Sequence, residues 1–233
     1  MTMIEKEWAE RVRAAVATRT PLCLRGGGSK DFFGCTLAGE RFDLRANRGV
    51  VAYEPTELVV TVCAGTPLAE LEAVLADKGQ YLAFEPPHFG PGATVGGCVA
   101  AGLSGPRRAS AGAVRDFMLG VKLLDGRGEV LRFGGQVMKN VAGYDVSRLV
   151  AGSLGTLGIL LEVSLKVLPR PVAEATLRFE LDEASALQRV NEWGGQPLPV
   201  SATLWQHGVL HLRLSGAEAA VQVEEVRGPG HRP

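Results

Sequence analysis

Long apolar runs are missing from this 233-residue sequence, and so is an excess of charge of either sign. Charged residues or glycines interrupt every hydrophobic stretch well short of the roughly 20 residues that a membrane-spanning helix needs. The 25 basic and 25 acidic residues cancel, so neither nucleic acid nor an anionic membrane is an expected partner. The first residues, MTMIEKEWAERVR, lack the apolar core of a secretory signal. A cytoplasmic location is expected, with peripheral attachment to the inner face of the membrane through partner subunits left open.

Cysteine and histidine are scarce, with four residues of each type. The cysteines are Cys23, Cys35, Cys63 and Cys98. None forms a CxxC pair, and their spacing suits neither zinc nor an iron–sulfur cluster, so buried reduced thiols are expected. His207 and His211 fall in a strand-like pattern, where roughly 13 Å would separate them, too far for one ion. The sequence therefore predicts no metal site.

Glycine, by contrast, is abundant at 30 residues, and the loop RGGGSK at residues 25–30 follows a predicted strand. Consecutive glycines can turn main-chain N–H groups toward a phosphate, although a flexible surface turn is the alternative. The loop is not a Walker A motif, because Lys30 follows Ser29 rather than preceding it. It is not a Rossmann fingerprint either, because Asp31 stands where that motif requires glycine.

Two later segments have the same character. PGATVGG at residues 91–97 is either a simple turn or a backbone strip against a cofactor ring, with Thr94 donating a hydrogen bond. GSLGTLGI at residues 152–159 lies between a helical segment and an alternating strand, and Ser153 and Thr156 could donate hydrogen bonds from it. Together with the first loop, these segments predict a nucleotide cofactor held by main chain.

The remaining polar candidates have competing explanations. GPRRASAGAVRD at residues 105–116 is either a solvated basic loop or a positive field near a pyrophosphate or a carboxylate substrate, with Arg115 as the preferred residue. Lys139, Tyr144 and Asp145 precede the third glycine segment. Asp145 is expected to cap a short helix and Tyr144 to be a packing residue.

Hydrophobic periodicity predicts an α+β fold. Apolar residues at four-residue intervals over residues 4–16 indicate an amphipathic helix, and a second helix is expected to begin with Thr66 as N-cap and Pro67 as its first residue. VKLL and EVLRF flank DGRG, which indicates a hairpin. The expected organisation is one domain over residues 1–168, with subdomains of about 1–88 and 89–168, then an incomplete domain over 169–226 and a disordered tail over 227–233.

Taken in order, these segments resemble a known family. RGGGSK, PGATVGG, VRDFMLGVKLLDGRGEVLRFGG and KNVAGYDVSRLVAGSLGTLGI are similar to the FAD-binding fold of the vanillyl-alcohol oxidase and p-cresol methylhydroxylase (PCMH-type) family. The last segment is similar to the FAD-binding subunits of glycolate oxidases, and GSLGT with the short first loop is similar to the smaller, E-type subunit. The resemblance covers about residues 21–169 and implies two α+β subdomains around FAD, followed by a cap domain that is only partial here.

The resemblance also implies a cofactor site. The first loop would hold the pyrophosphate, the second would follow the flavin and ribityl chain, and the third would close over the adenine and phosphate side. The residues assigned to FAD are Arg25, Gly26, Gly27, Gly28, Ser29, Lys30, Pro91, Gly92, Ala93, Thr94, Val95, Gly96, Gly97, Arg115, Gly152, Ser153, Gly155, Thr156, Gly158 and Ile159. Ser29 stands where some relatives carry a tethering histidine, and the family pattern gives no reason to make Cys98 a tether. Non-covalent FAD is therefore expected.

The implied activity is oxidation of a 2-hydroxy acid. The chain would be the FAD-binding subunit of a glycolate oxidase (glycolate dehydrogenase)-type complex that converts glycolate to glyoxylate. Electrons would pass to partner iron–sulfur centres and a quinone, and the partners would be a larger flavin subunit and an iron–sulfur subunit. Two alternatives stay open: a self-sufficient flavin dehydrogenase of another 2-hydroxy acid such as lactate, and a non-catalytic subunit that stabilises a larger flavoprotein. No residue is assigned as catalytic base.

Overall fold

The computed structural model describes residues 1–36, 38–135 and 144–227, with side chains described as far as residue 222. Lys139 and residues 228–233 of the predicted tail lie outside these ranges. Two compact units are present: Met1–Ser104 with Ala113–Leu168, and Gly105–Gly112 with the residues from Pro169 on. The sequence did not predict that a short segment before residue 113 belongs to the second unit. Across the described ranges, no helix has the length and apolarity that crossing a membrane requires.

The first unit is built on a five-stranded antiparallel sheet. Its strands are β3 (Val50–Glu54), β4 (Val59–Cys63), β6 (Met118–Leu124), β7 (Val130–Gly134) and β8 (Ile159–Lys166), in the order β3-β4-β8-β6-β7. Strand β4 is buried along nearly its whole length, as its mostly apolar sequence VVTVC suggests. Strand β8 keeps the predicted alternation, but it is more than half-buried, because Ser164 is buried and Glu162 and Lys166 are partly buried. The five-stranded sheet contains strands from both sides of the predicted subdomain boundary near residue 88, because β4 precedes that residue and pairs with β8, which follows it.

Shorter elements complete the first unit. They are α1 (Met3–Thr18), the parallel pair β1 (Leu22–Arg25) and β2 (Glu40–Asp43), α2 (Leu68–Ala76), β5 (Gln80–Tyr81), α3 (Val95–Ala101) and α5 (Val146–Leu149). Two predictions about them need correction. Pro67, not Thr66, occupies the N-cap of α2, because the buried Thr66 hydroxyl instead bonds to main chain at Gly49 and Cys63. Tyr144 is 95% exposed rather than packed, whereas Asp145 caps α5 as predicted.

Helix α1 packs on the sheet through part of its predicted face. Trp8 and Val12 are buried against Phe42 and Leu161, but Val16 is 61% exposed. The helix ends at Thr18, with Arg19 in the left-handed conformation as its C-cap. The apolar face predicted from the sequence is therefore buried only in part.

A buried ionic cluster joins the start of α1 to the sheet. Lys122 on β6 bonds to Glu5 and lies 2.9 Å from a carboxylate oxygen of Glu162 on β8. Glu5 also accepts a hydrogen bond from the Thr2 main chain, completing the capping box of α1. Both carboxylates thus have a cationic partner, as buried charges require.

The second unit is a three-stranded antiparallel sheet with helices. Its elements are α4 (Arg108–Ala111), β10 (Ala173–Glu180), α6 (Glu183–Gly194), β11 (Val200–Gln206), β12 (Val209–Gly216) and α7 (Glu218–Arg227), with the strand order β10-β12-β11. Strand β9 (Leu168–Pro169) lies at the junction of the two units in the sequence. Trp193 and the leucines of β12 form the core. Arg227, predicted to begin a disordered tail, is the last residue of α7, whose Val221 is buried in that core.

Candidate cofactor site

Three glycine segments that are far apart in sequence come together in the first unit. A cavity of about 90 Å³ is lined by Gly26 from the first loop, Gly96 from the second, and Gly155 and Gly158 from the third. A larger cavity of about 380 Å³ is lined by all of residues 25–31. The two cavities share wall residues from each segment, so they form adjoining parts of one site: Leu24, Gly26, Thr94, Gly97, Ala100 and Leu154.

The first and second segments touch through their main chains. A Cβ atom on Gly27 would lie 1.3 Å from the carbonyl oxygen of Gly92, and one on Gly26 would lie 2.5 Å from the Thr94 hydroxyl oxygen. A Cβ atom on Gly96 would lie 2.7 Å from the Cβ atom of Ala64. Glycine is required at these positions because segments of the protein itself approach one another there, independently of any ligand. The site walls are therefore held by backbone packing.

The third segment is fixed to α3 by main-chain hydrogen bonds. Gly152 donates to the Val99 carbonyl at 3.0 Å, and Leu154 donates to the Ala100 carbonyl at 2.9 Å. Leu154 has a φ of +52°, a left-handed conformation that costs a non-glycine residue about 1–2 kcal/mol. The Thr156 hydroxyl donates to the Ser153 carbonyl at 2.7 Å, so it stabilises this loop instead of pointing a free proton at a ligand.

Thr94 is the side chain that connects the segments. It caps α3 by accepting a hydrogen bond from the Gly97 N–H at 3.1 Å, and only 4% of it is exposed. As an acceptor in that bond, the hydroxyl keeps its proton available for a ligand. Thr94 also lines a neighbouring cavity of about 540 Å³ together with Pro91 and Gly92.

The first loop carries one cation that has no carboxylate partner within the described ranges. The Lys30 side chain is half-buried, and burial lowers its pKa. Its amine lies 5.9 Å from the centre of the Phe89 ring, and the residue lines the larger cavity. Arg25, in contrast, is paired with Asp31. A partly desolvated cation in a glycine-rich loop is a setting that an anionic ligand would stabilise.

The cysteines differ from one another more than the sequence suggested. Only Cys98 is buried; Cys23 and Cys63 are partly buried and Cys35 is exposed, and all four are free thiols. Burial raises the pKa of Cys98 to about 12, so its thiol is protonated and unreactive at neutral pH. Within the described ranges, no three His, Cys, Asp or Glu side chains cluster as metal ligands would.

Some predicted site residues do not line any of these cavities. Ala93 and Val95 belong to the second segment but are buried outside the cavity walls. Gly152 and Ser153 belong to the third segment but stay outside the cavity walls. Arg115 is 71% exposed and lies 3.8 Å from Asp116, so it contributes no charge to the walls.

The apolar part of the wall was missed from the sequence. It consists of Leu24, Leu44, Ala64, Ala100, Leu154 and Leu160. These residues lie in ordinary apolar stretches next to the glycines, and only Leu154, inside GSLGT, had a local signal. Apolar walls, closely approaching main chain and one unpaired cation together fit FAD, which has flat rings and an anionic pyrophosphate.

Comparison with known proteins agrees with this fit. A family model described as an FAD binding domain matches residues 4–134, more than half of the chain. Glycolate oxidase subunit GlcE of Escherichia coli is 50% identical over 94% of this chain and 65% of its own length. Glycolate oxidase subunit GlcD of Bacillus subtilis is 30% identical over 68% of this chain and 34% of its own length. A mitochondrial cytochrome-type D-lactate dehydrogenase of Arabidopsis thaliana is 33% identical over 60% of this chain and 25% of its own length.

The fold also matches a solved structure. An alkyldihydroxyacetonephosphate synthase superposes with a TM-score of 0.70 at 20% identity, over 94% of this chain and 47% of that one. At this identity the likeness concerns the fold alone. The chain spans less than two thirds of the length of the curated relatives described here. The predicted α+β FAD-binding fold is thus confirmed, and the chain belongs to the FAD-binding domain family.

Proposed function

We propose that this chain is the FAD-binding subunit of a complex that oxidises glycolate. The convergence of the three glycine segments on one site is the observation that carries the cofactor part of the proposal. The 50% identity to a protein named as a glycolate oxidase subunit supports the reaction and the complex. A larger flavin subunit and an iron–sulfur subunit are the proposed partners, in a cytoplasmic or membrane-peripheral complex.

In this proposal the chain binds and orients the cofactor. The main chain of residues 26–30 and the Lys30 amine would hold the anionic part of FAD, the Thr94 hydroxyl would donate a hydrogen bond to the cofactor, and the apolar wall would exclude water. FAD held at this site would supply the two-electron redox chemistry for converting a 2-hydroxy acid to the 2-oxo acid, in which C2 loses a hydride and the hydroxyl group loses a proton to solvent, with the electrons going on to the partner subunits. We assign no catalytic base within the described ranges. The proposed binding is non-covalent, and the burial of Cys98, which raises the pKa of its thiol to about 12, supports this.

Purification and acid precipitation test the cofactor directly. The purified chain, supplied with FAD, should show flavin absorption, and acid should release all of that flavin into the supernatant. Flavin remaining in the precipitate would refute non-covalent binding. A chain that takes up no FAD would refute the cofactor proposal and favour a stabilising role for a larger flavoprotein.

Ser29 allows a test at an open position of the first loop. Its side chain lines the larger cavity and is partly exposed. Ser29→Asp places a carboxylate beside the proposed pyrophosphate and should weaken FAD binding by at least about tenfold. Ser29→Asn, similar in size but neutral, is the control and should bind several-fold better than Ser29→Asp. Equal affinities would contradict an anionic ligand at this loop.

The substrate needs the assembled complex. FAD-loaded chain should be mixed with its purified partners and an artificial electron acceptor, with glycolate and D-lactate compared at equal concentrations. Faster reduction with glycolate supports the proposal. Turnover by the chain alone with D-lactate would support the self-sufficient alternative, which the similarity to a D-lactate dehydrogenase motivates.

A further inference from the structure

We propose that Arg25 is a positioning residue that clasps the first loop through Asp31, leaving Lys30 as the cation that meets the anionic ligand. This division of roles rests on the proposed function, because it concerns the same FAD site. It also revises the resemblance, in which every residue of RGGGSK contacts FAD.

Arg25 and Asp31 close the first loop across its two ends. The Arg25 Nε atom donates to both carboxylate oxygens of Asp31, at 2.9 and 3.2 Å, and the Nη2 atom donates to Oδ2. The hydrogen bond from Arg25 is the main reason that the pKa of Asp31 lies below its usual value. Such a two-donor pairing fixes orientation as well as distance. The residues enclosed by the pair include three consecutive glycines, the residue type with the widest choice of backbone conformations.

The Arg25 guanidinium also supports the loop from one side. A Cβ atom on Gly28 would lie 2.0 Å from Arg25 Nη2 and 2.4 Å from its Cζ atom. Gly28 has a φ of +74°, so the chain turns over the guanidinium at this residue in a conformation that glycine adopts easily. Arg25 thus sets the path of the main chain whose N–H groups are proposed to bind the ligand.

The charges of the loop divide accordingly. Arg25 and Asp31 neutralise each other, which leaves Lys30 as the loop's net charge. Lys30 has no carboxylate partner among the side chains that the structure describes, and it lines the same cavity. An anion entering this cavity would therefore find one uncompensated side-chain cation.

The two possible roles of Arg25 predict opposite effects of Asp31→Asn. If Arg25 binds the ligand, removing Asp31 frees a guanidinium and deletes a negative charge, so FAD should bind more tightly. If Arg25 is a clasp, the loop loses its closure and FAD should bind roughly tenfold more weakly, although a negative charge has been removed. We expect the weaker binding.

FAD titration by flavin fluorescence should compare wild type, Asp31→Asn, Arg25→Lys and Lys30→Met across a range of salt concentrations. Lys30→Met should weaken binding and flatten its salt dependence, because the charge that salt screens is gone. Asp31→Asn and Arg25→Lys should weaken binding with the salt dependence retained. The double variant that combines Asp31→Asn with Arg25→Lys should bind FAD only slightly more weakly than either single variant, because both substitutions break the same contact. Additive losses of affinity would overturn the clasp.

The control is Glu40→Gln, which removes the acidic partner of the exposed Arg11. Glu40 lines none of the three cavities. It should bind FAD as wild type does. Hydrogen exchange on the protein without FAD gives a second readout: amides of residues 26–31 should exchange faster in Asp31→Asn, with an unchanged thermal midpoint. If wild type binds FAD but Asp31→Asn binds it equally or better, the clasp is refuted alone; if wild type takes up no FAD, the proposed function fails first.

Discussion

Gly27→Ala tests whether the contact between the first two glycine segments holds the site together. The new Cβ atom would lie 1.3 Å from the Gly92 carbonyl oxygen, whereas ordinary contact begins at 3.4 Å, so the segments must separate by about 2 Å. The obstructing atom is main chain and cannot rotate away. The φ of Gly27 is not in the left-handed region, so alanine adds no conformational strain of its own. We expect a loss near the upper end of the 1–3 kcal/mol typical of overpacking, about 3 kcal/mol.

Urea denaturation and FAD titration of the same preparation give the two numbers needed. FAD affinity should fall by at least about tenfold if a 2 Å displacement misplaces the main-chain donors. Gly126→Ala is the matched control in the same unit, because a Cβ atom there meets nothing within 4 Å. It should leave FAD binding unchanged and alter stability by no more than about 1 kcal/mol. A Gly27→Ala protein with wild-type stability and affinity would show that the two segments do not depend on each other.

Three further outcomes are expected. Lys122→Met should lower the free energy of unfolding by about 3–5 kcal/mol, because Glu5 is left buried without its cation, whereas Arg132→Met, at a side chain 68% exposed, should cost less than about 1 kcal/mol in the same urea titration. Burial raises the pKa of Glu5, but the hydrogen bonds from Lys122 and the Thr2 main chain, with the charge of Lys122, together hold the pKa below the ordinary 4.5. The stability from these contacts is therefore present above that pH and lost as the pH falls through the lower folded value, and Glu5→Gln should flatten the acid limb of the stability curve. Exposed Cys35 lines the larger cavity, so bound FAD should slow its alkylation. Buried Cys98 should stay unmodified until the protein unfolds, and early labelling of Cys98 in mass spectrometry would contradict its burial.

The regular elements of the first unit could be predicted because their patterns are local. VKLL and EVLRF predicted the hairpin β6-β7. Asp145 was predicted as a helix cap, and its carboxylate accepts a hydrogen bond from the N–H of Arg148, three residues later. Pairing across the sheet could not be predicted, since β4 meets β8 about 100 residues later. No periodicity in either strand encodes that partner, so the sheet crosses the boundary that the proline- and glycine-rich segment suggested.

Part of the candidate site could likewise be predicted from local sequence, and part could not. Glycine density marked the three segments, because only glycine permits main chain to approach main chain so closely. The sequence did not show what each glycine approaches. Gly27 and Gly96 approach other parts of the protein itself. Arg115, which was predicted to lie near the site, is 71% exposed beside Asp116. The apolar wall was missed because residues such as Leu24 and Ala100 are unremarkable until the fold brings them together.

The mutual dependence of the segments decides which substitutions can identify a ligand contact. Gly27 lies against Gly92, and a Cβ atom on Gly102 would lie 2.8 Å from the Cα atom of Gly152, so α3 joins the second segment to the third. Enlarging any of these glycines should weaken FAD binding whether or not that residue touches FAD, and loss of flavin alone would therefore assign nothing. Ser29 and Lys30 are different, because their side chains line the cavity and can change in charge at nearly constant shape. Only a response that follows charge, as in Ser29→Asp against Ser29→Asn, separates a contact with the anionic ligand from a contact within the protein.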